Sequence, residues 1–143
     1  MRIVVDTNIV FSAILNTNSK IARILLQPRA KNHFYSTEQL IIEIEKHKGK
    51  LKAFTSYTDS ELDKMIRLIT NKIRFINVKL IPLNIYAVAE NLTEDVDIDD
   101  TEFVALTEHL KGKLWSGDKE LILGLKSKKW MKFIGTDELF KDL

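Results

Sequence analysis

The chain opens on an apolar run, Ile3-Val4-Val5, and the stretch Arg2–Val5 reads as a buried strand. Directly behind it the rhythm changes to three- and four-residue spacing, predicting helices over Asn8–Leu15 and Ser19–Leu26, with Pro28 closing the run. His33–Tyr35 predicts a short strand. Ser36-x-x-Gln39 has the spacing of a capping box and introduces a helix with the stripe Leu40, Ile41, Ile44 and Leu51, weakening near Gly49. Nothing in Lys52–Asp59 assigns it a conformation. Thr58-x-x-Glu61 is a second capping box, starting a helix with Leu62, Met65, Ile66 and Ile69 on one side, and Phe75–Val78 predicts the next strand.

Pro82 begins a helix with Ile85, Val88, Ala89 and Leu92 on one face, and an acidic segment separates it from a helix carrying Phe103, Leu106 and Leu110 that ends at Gly112. A strand over Lys113–Ser116, a helix over Asp118–Leu125, a strand over Lys129–Ile134 and a helix over Thr136–Leu143 complete the pattern. Strands alternating with helices or helix pairs predict an α/β fold with a mainly parallel sheet. No linker, repeat or low-complexity stretch interrupts the 143 residues, which are expected to form one domain. The helices starting near Thr58 and Pro82 have apolar faces that suit either core or a dimer interface.

Composition narrows the chemistry. There is no cysteine, so disulfides, thiolate nucleophiles and Cys-based zinc sites are excluded and a metal must take oxygen or imidazole ligands. Four residues lie between Met1 and Asp6, too few for a signal-peptide core, and no run approaches the roughly 18 apolar residues of a membrane span, so a cytoplasmic protein is expected. The net charge is only +2, but it is segregated: residues 94–102 hold six acids and no base, while 46–52 and 126–132 are rich in lysine. An acidic centre rimmed by basic segments suits a polyanion held near metal ions; solvated lysines on ordinary helix faces are the plainer alternative.

Several acids stand where chemistry is expected. Ligands gather at the carboxyl ends of parallel strands. Asp6 follows the first strand, with Thr7 and Asn8 as polar neighbours, and Asp118 follows the strand that ends in Ser116 and Gly117, where glycine would let the backbone come close. Either aspartate is equally suited to capping the next helix. Glu43 lies on the flank of its helix's apolar stripe and is expected to look inward, against an exposed pairing with Lys46 or His47. Asp99-x-x-Glu102 has capping spacing with Ile98 and Phe103 as a hydrophobic staple, leaving Asp100 at the first helical position free to project; Asp95 and Asp97 are expected to solvate the loop, with metal binding through water as the alternative for one of them, and Glu120 is expected on the surface, with a supplementary place in the site as its alternative. Carboxylates about 5 Å apart repel by roughly 3 kcal/mol per pair at an effective dielectric near 20, so Asp6, Glu43, Asp100 and Asp118 would need a cation such as Mg²⁺ or Mn²⁺ to stay ionised together.

Four segments in this order, Val5-Asp6-Thr7-Asn8, Leu40-Ile41-Ile42-Glu43, Asp99-Asp100-Thr101-Glu102 and Leu114-Trp115-Ser116-Gly117-Asp118, resemble the successive acidic motifs of PIN-domain ribonucleases, above all the VapC-like toxins of bacterial and archaeal toxin–antitoxin pairs. The resemblance runs from Arg2 to about Leu139. It implies a three-layer α/β/α sandwich, often a homodimer, that cuts RNA with Mg²⁺ or Mn²⁺ and is silenced by an antitoxin whose tail occupies the active-site groove. By motif position, Asp6, Glu43, Asp100 and Asp118 would be the acidic quartet, with Asn8 and Ser116 as polar support. Thr107 and Glu120 depart from the commoner alanine and aspartate without touching the quartet.

The expected mechanism has Asp6, Asp100 and Asp118 holding one or two divalent ions, Glu43 orienting water or completing the metal shell, and Lys46, Lys48, Lys50 and Lys119 contacting the RNA backbone. A receiver domain or a haloacid-dehalogenase-like phosphatase fits less well, because Asn8 takes the second position of the phosphatase Asp-x-Asp and no acid follows the Phe75–Val78 strand. A PIN-like scaffold that binds RNA or protein without cutting remains the main alternative; it has no need of four mutually repelling acids.

Overall fold

The structure, a computed structural model, describes residues 1–28 and 31–143. Its centre is β1 (Arg2–Val5), where Ile3, Val4 and Val5 are fully buried. A strand buried on both faces needs helices on both sides, and that is the arrangement found: a three-layer α/β/α sandwich around a five-stranded sheet in which every pairing is parallel.

The order β3-β2-β1-β4-β5 follows from two runs of the chain. From β1 it passes through α1 (Thr7–Leu15) and α2 (Lys20–Leu25) to β2 (His33–Thr37), then through α3 (Glu38–Lys46), α4 (Lys48–Ala53) and α5 (Asp59–Thr70) to β3 (Ile73–Ile76). It then returns through α6 (Leu83–Thr93) and α7 (Thr101–Leu110) to the other side of β1, laying down β4 (Lys113–Trp115), α8 (Lys119–Ser127), β5 (Phe133–Ile134) and α9 (Thr136–Lys141). The direction of winding therefore reverses between β1 and β4, and the crevice beyond their carboxyl ends is where such sheets bind ligands. Register completes the placement: Val5 pairs with Trp115, so Asp6 and Ser116 are the next residues out on adjacent strands.

Several local expectations shift. Ser36 does not start a capping box: β2 continues to Thr37, held by Ser36 opposite Phe75 and Thr37 opposite Ile76, and the Ser36 hydroxyl donates to the Val5 carbonyl at 2.9 Å. The box at Thr58 and Glu61 does form, with both reciprocal bonds present. The helix expected through Leu51 breaks at His47 instead of weakening at Gly49, giving α3 and α4. β3 begins at Ile73 and Val78–Leu80 is a short 3₁₀ turn, while β5 shrinks to Phe133–Ile134. On α6, Ala89 is buried but Val88 is half exposed, so the predicted single apolar face is not fully covered. Gly112 ends α7 for a steric reason as well: a β-carbon there would lie 2.3 Å from the Arg2 carbonyl oxygen, so only glycine lets the chain enter β4 beside β1. Among the described residues, no helix is long and apolar enough to cross a membrane.

Candidate active site

Beyond the β1/β4 switch point lies a cleft of about 330 Å³ lined by Asp6, Glu43, Asp97, Asp100 and Asp118, with Asn8, Lys46 and His47 on its border. The four acids expected from the sequence thus line one space, and two more, Asp97 and the exposed Asp99, join them. Asp97, Asp100 and Asp118 form the tightest group, each offering a carboxylate oxygen within 4.8 Å of the others. Asp6 sits behind this group, almost wholly buried at 2% exposure.

Local structure explains how so many acids are held together. Asp6 Oδ1 accepts from the Ile9 N–H at 3.1 Å, Asp118 Oδ1 from Glu120 and Leu121 N–H at 3.0 and 3.2 Å, and Asp97 Oδ1 from Asp99 N–H at 3.1 Å. Each therefore caps a helix or 3₁₀ turn through one carboxylate oxygen. Capping and ligand binding are compatible, and the positive ends of α1 and α8 offset part of the repulsion. Asp100, N-terminal to α7, makes no capping bond. Its backbone is fixed instead by Thr101, whose hydroxyl donates to Ile98 O at 2.7 Å and lies 2.6 Å from the Thr93 hydroxyl.

The expected cap at Asp99 is corrected here. Asp97 caps the Ile98–Asp100 turn, Asp99 is exposed, and Ile98 stays 57% exposed, so it does not form the expected staple. The Asp97-x-x-Asp100 spacing was the available signal: three residues apart on one turn, both carboxylates face one side. The segment before Asp97 is held against α8 by Gly124, where a β-carbon would lie 2.6 Å from Val96, and by Lys128, which donates to Leu92 O at 2.9 Å and pairs with Asp95.

Burial chiefly raises the carboxyl of Asp6 to about 6; the neighbouring Ser116 hydroxyl and the Ile9 N–H oppose this, and the charges of Asp118 and Glu43 add to it. Asp100 is pushed up to about 8, first by burial and then by Asp97, Asp6 and Asp118. A bound cation would offset both the burial of these carboxylates and the smaller repulsion among them. Glu43, half buried, accepts from the Gln39 amide at 2.7 Å, and that amide also donates to Asp99 O at 2.6 Å, tying α3 to the acidic turn. Ser116 is buried and accepts from Asp118 N–H at 3.1 Å; Gly117, expected to permit a close approach, instead faces open space.

The lysines divide. Lys46 borders the cleft, Lys50 lines an adjoining groove, Lys119 is exposed at the start of α8, and Lys48 is paired with Asp63. The donor set fits a hard divalent ion. It is all oxygen, three of its carboxylates each offer an atom within 4.8 Å of the others, and Thr7 Oγ1 is buried at the cleft without a partner among the described residues.

The family profile described as PIN domain matches residues 4–136. The chain belongs to the PIN-domain family. The matched span contains all six acids of the cleft. Among solved structures the PIN fold here is similar to VapBC2 from Rickettsia felis, determined bound to a DNA fragment from its promoter. That match has a TM-score of 0.68 and 14% identity, covering 94% of this chain and 97% of that one. At that identity the likeness is one of fold. No curated protein sequence matches the chain.

Proposed function

We propose that this PIN domain is a divalent-metal-dependent endoribonuclease and the toxin of a toxin–antitoxin pair. The observation that carries the reading is the convergence of the Asp97, Asp100 and Asp118 oxygens within 4.8 Å at the switch point of the sheet. Asp97, Asp100 and Asp118 would hold Mg²⁺ or Mn²⁺, with Asp6 behind them as a further ligand or as the acceptor for a metal-bound water. When bound, such an ion lowers the pKa of a coordinated water and offsets charge on the phosphate in the transition state.

The protein's own groups do the rest. Glu43, oriented by Gln39, accepts a proton from the attacking water or holds it in line. The Thr7 hydroxyl donates to a group bound in the cleft, and Asn8 and Ser116 support the carboxylates. Lys46, Lys50 and Lys119 take phosphates of the RNA backbone, and Lys48 joins them only on leaving Asp63. The whole chain, 1–143, acts as one nuclease domain in the cytoplasm. A cognate antitoxin and a homodimer belong to the same reading; the motif resemblance to VapC-like toxins and the fold likeness to VapBC2 support the first, and exposed Leu80 and Leu83 offer apolar surface for the second.

Pooled, end-labelled RNA incubated with the wild-type protein and with Asp100→Asn, each in Mg²⁺, in Mn²⁺ and in excess EDTA, tests the proposal. Cutting that needs metal and vanishes in the variant is expected. Equal cutting by both proteins, or cutting unaffected by EDTA, would refute it.

A further inference from the structure

Beside the acidic cleft runs a second and larger groove of about 580 Å³, lying between α1 and α4. We propose that it receives an unstacked nucleobase of single-stranded RNA, flanking the phosphate held at the acidic cleft. This rests on the ribonuclease reading and names where that enzyme would read its substrate.

The two walls have the same construction. Asn8, Phe11, Ser12 and Leu15 face the groove from α1, and His47, Lys50, Leu51 and Phe54 face it from the other side. Both sets fall at i, i+3, i+4 and i+7, one face of a helix. The break between α3 and α4 at His47 is what turns this second set toward α1. Asn8 and His47 line both spaces, so a strand whose phosphate sits among the acids has its neighbouring base at the mouth of the groove.

The chemistry differs from that of the cleft. The lining contains no acid, and it presents aromatic groups: Phe54 is 70% exposed, and the half-buried Phe11 ring meets His47 edge-on at 5.8 Å, which holds the imidazole in place. Flat apolar faces of this kind stack bases, while Lys50 and Lys46 neutralise the phosphates on either side and Asn8, Ser12 and Thr136 offer hydrogen bonds to base edges. The cationic border favours a polyanion over an apolar peptide, and the volume is that of a small-molecule pocket, ample for a base.

Two measurements decide it. In the cleavage-blocked Asp100→Asn protein, Phe54→Trp adds an exposed indole to a chain whose Trp115 and Trp130 are buried. A mixed-sequence single-stranded RNA of about ten nucleotides should quench that indole, and the same ribose-phosphate chain without bases should not. Equal effects of the two chains, or no effect of either, would overturn the proposal. So would a response to an apolar peptide alone, which would give the groove to a protein partner. In the active enzyme, Phe54→Ala should cut pooled RNA about tenfold more slowly and lose base preference at a position next to the cut. An unchanged rate and cut-site profile would remove the base site and leave the ribonuclease standing. Failure of the wild type to cut would remove the ribonuclease, and the quenching would still decide the groove.

Discussion

At the scale of single residues, the cleft sets stability against chemistry. Asp6 and Asp100 bind protons in the folded protein at pH values where the unfolded chain, near 3.8, has lost them. Stability from these groups is therefore full at low pH and is lost as pH rises through about 6 for Asp6 and about 8 for Asp100. Thermal melts without metal should show the cluster's cost growing from about pH 4, the unfolded value, to about pH 8, and added Mg²⁺ or Mn²⁺ should raise the melting temperature at the higher pH and much less at the lower. Asp100→Asn should flatten this dependence and melt higher than the wild type at pH 8 in EDTA. A wild-type melt in EDTA that is insensitive to pH would contradict the account. Gln39 acts at one remove: Gln39→Ala frees Glu43 from its orienting bond and should lower cleavage about 10- to 100-fold with little change in melting temperature, as outer partners of metal sites do.

At the scale of elements, the site depends on where helices begin. Asp6 and Asp118 head helices because strand-to-helix junctions favour aspartate caps, which is why both could be picked out from their place after apolar runs. Asp97 could not: its spacing from Asp100 shows only a turn, and which side of the turn meets Asp118 depends on α8 lying against Val96. The failed box at Ser36 has the same origin, since pairing of β2 with β3 extends the strand over residues whose local pattern favours a cap. β3 likewise starts earlier than its own hydrophobic run indicates because Ile73 is paired with Phe34. The box at Thr58 survives because Thr58 lies outside the sheet, and Thr58→Ala should cost about 1 kcal/mol in denaturant unfolding. Gly124→Val would push the Val96 segment away from α8; metal affinity measured by calorimetry should fall while the protein stays folded.

At the scale of the whole molecule, alternation of strands and helices was enough to predict an α/β fold with a mainly parallel sheet, and the resemblance to PIN domains supplied the three-layer sandwich. Strand order was not readable, since it depends on which long crossovers close; the reversal between β1 and β4 is what brings residues more than ninety positions apart to one crevice. The charge segregation noted in the sequence becomes a spatial one, with acids lining the cleft, Lys46 on its border and Lys50 in the adjoining groove. RNA affinity of the Asp100→Asn protein should therefore fall steeply with salt, and Lys46→Ala should make that slope shallower.

The most direct test compares two neighbouring acids of one segment. Asp97 points its carboxylate at Asp100 and Asp118, whereas Asp95 pairs with Lys128 outside the cleft. Metal-dependent RNA cleavage should drop by more than about 100-fold in Asp97→Asn and stay near the wild-type rate in Asp95→Asn. Equal rates for Asp97→Asn and wild type, at saturating and at limiting Mn²⁺, would contradict the assignment of this cluster as the metal-binding centre of a nuclease.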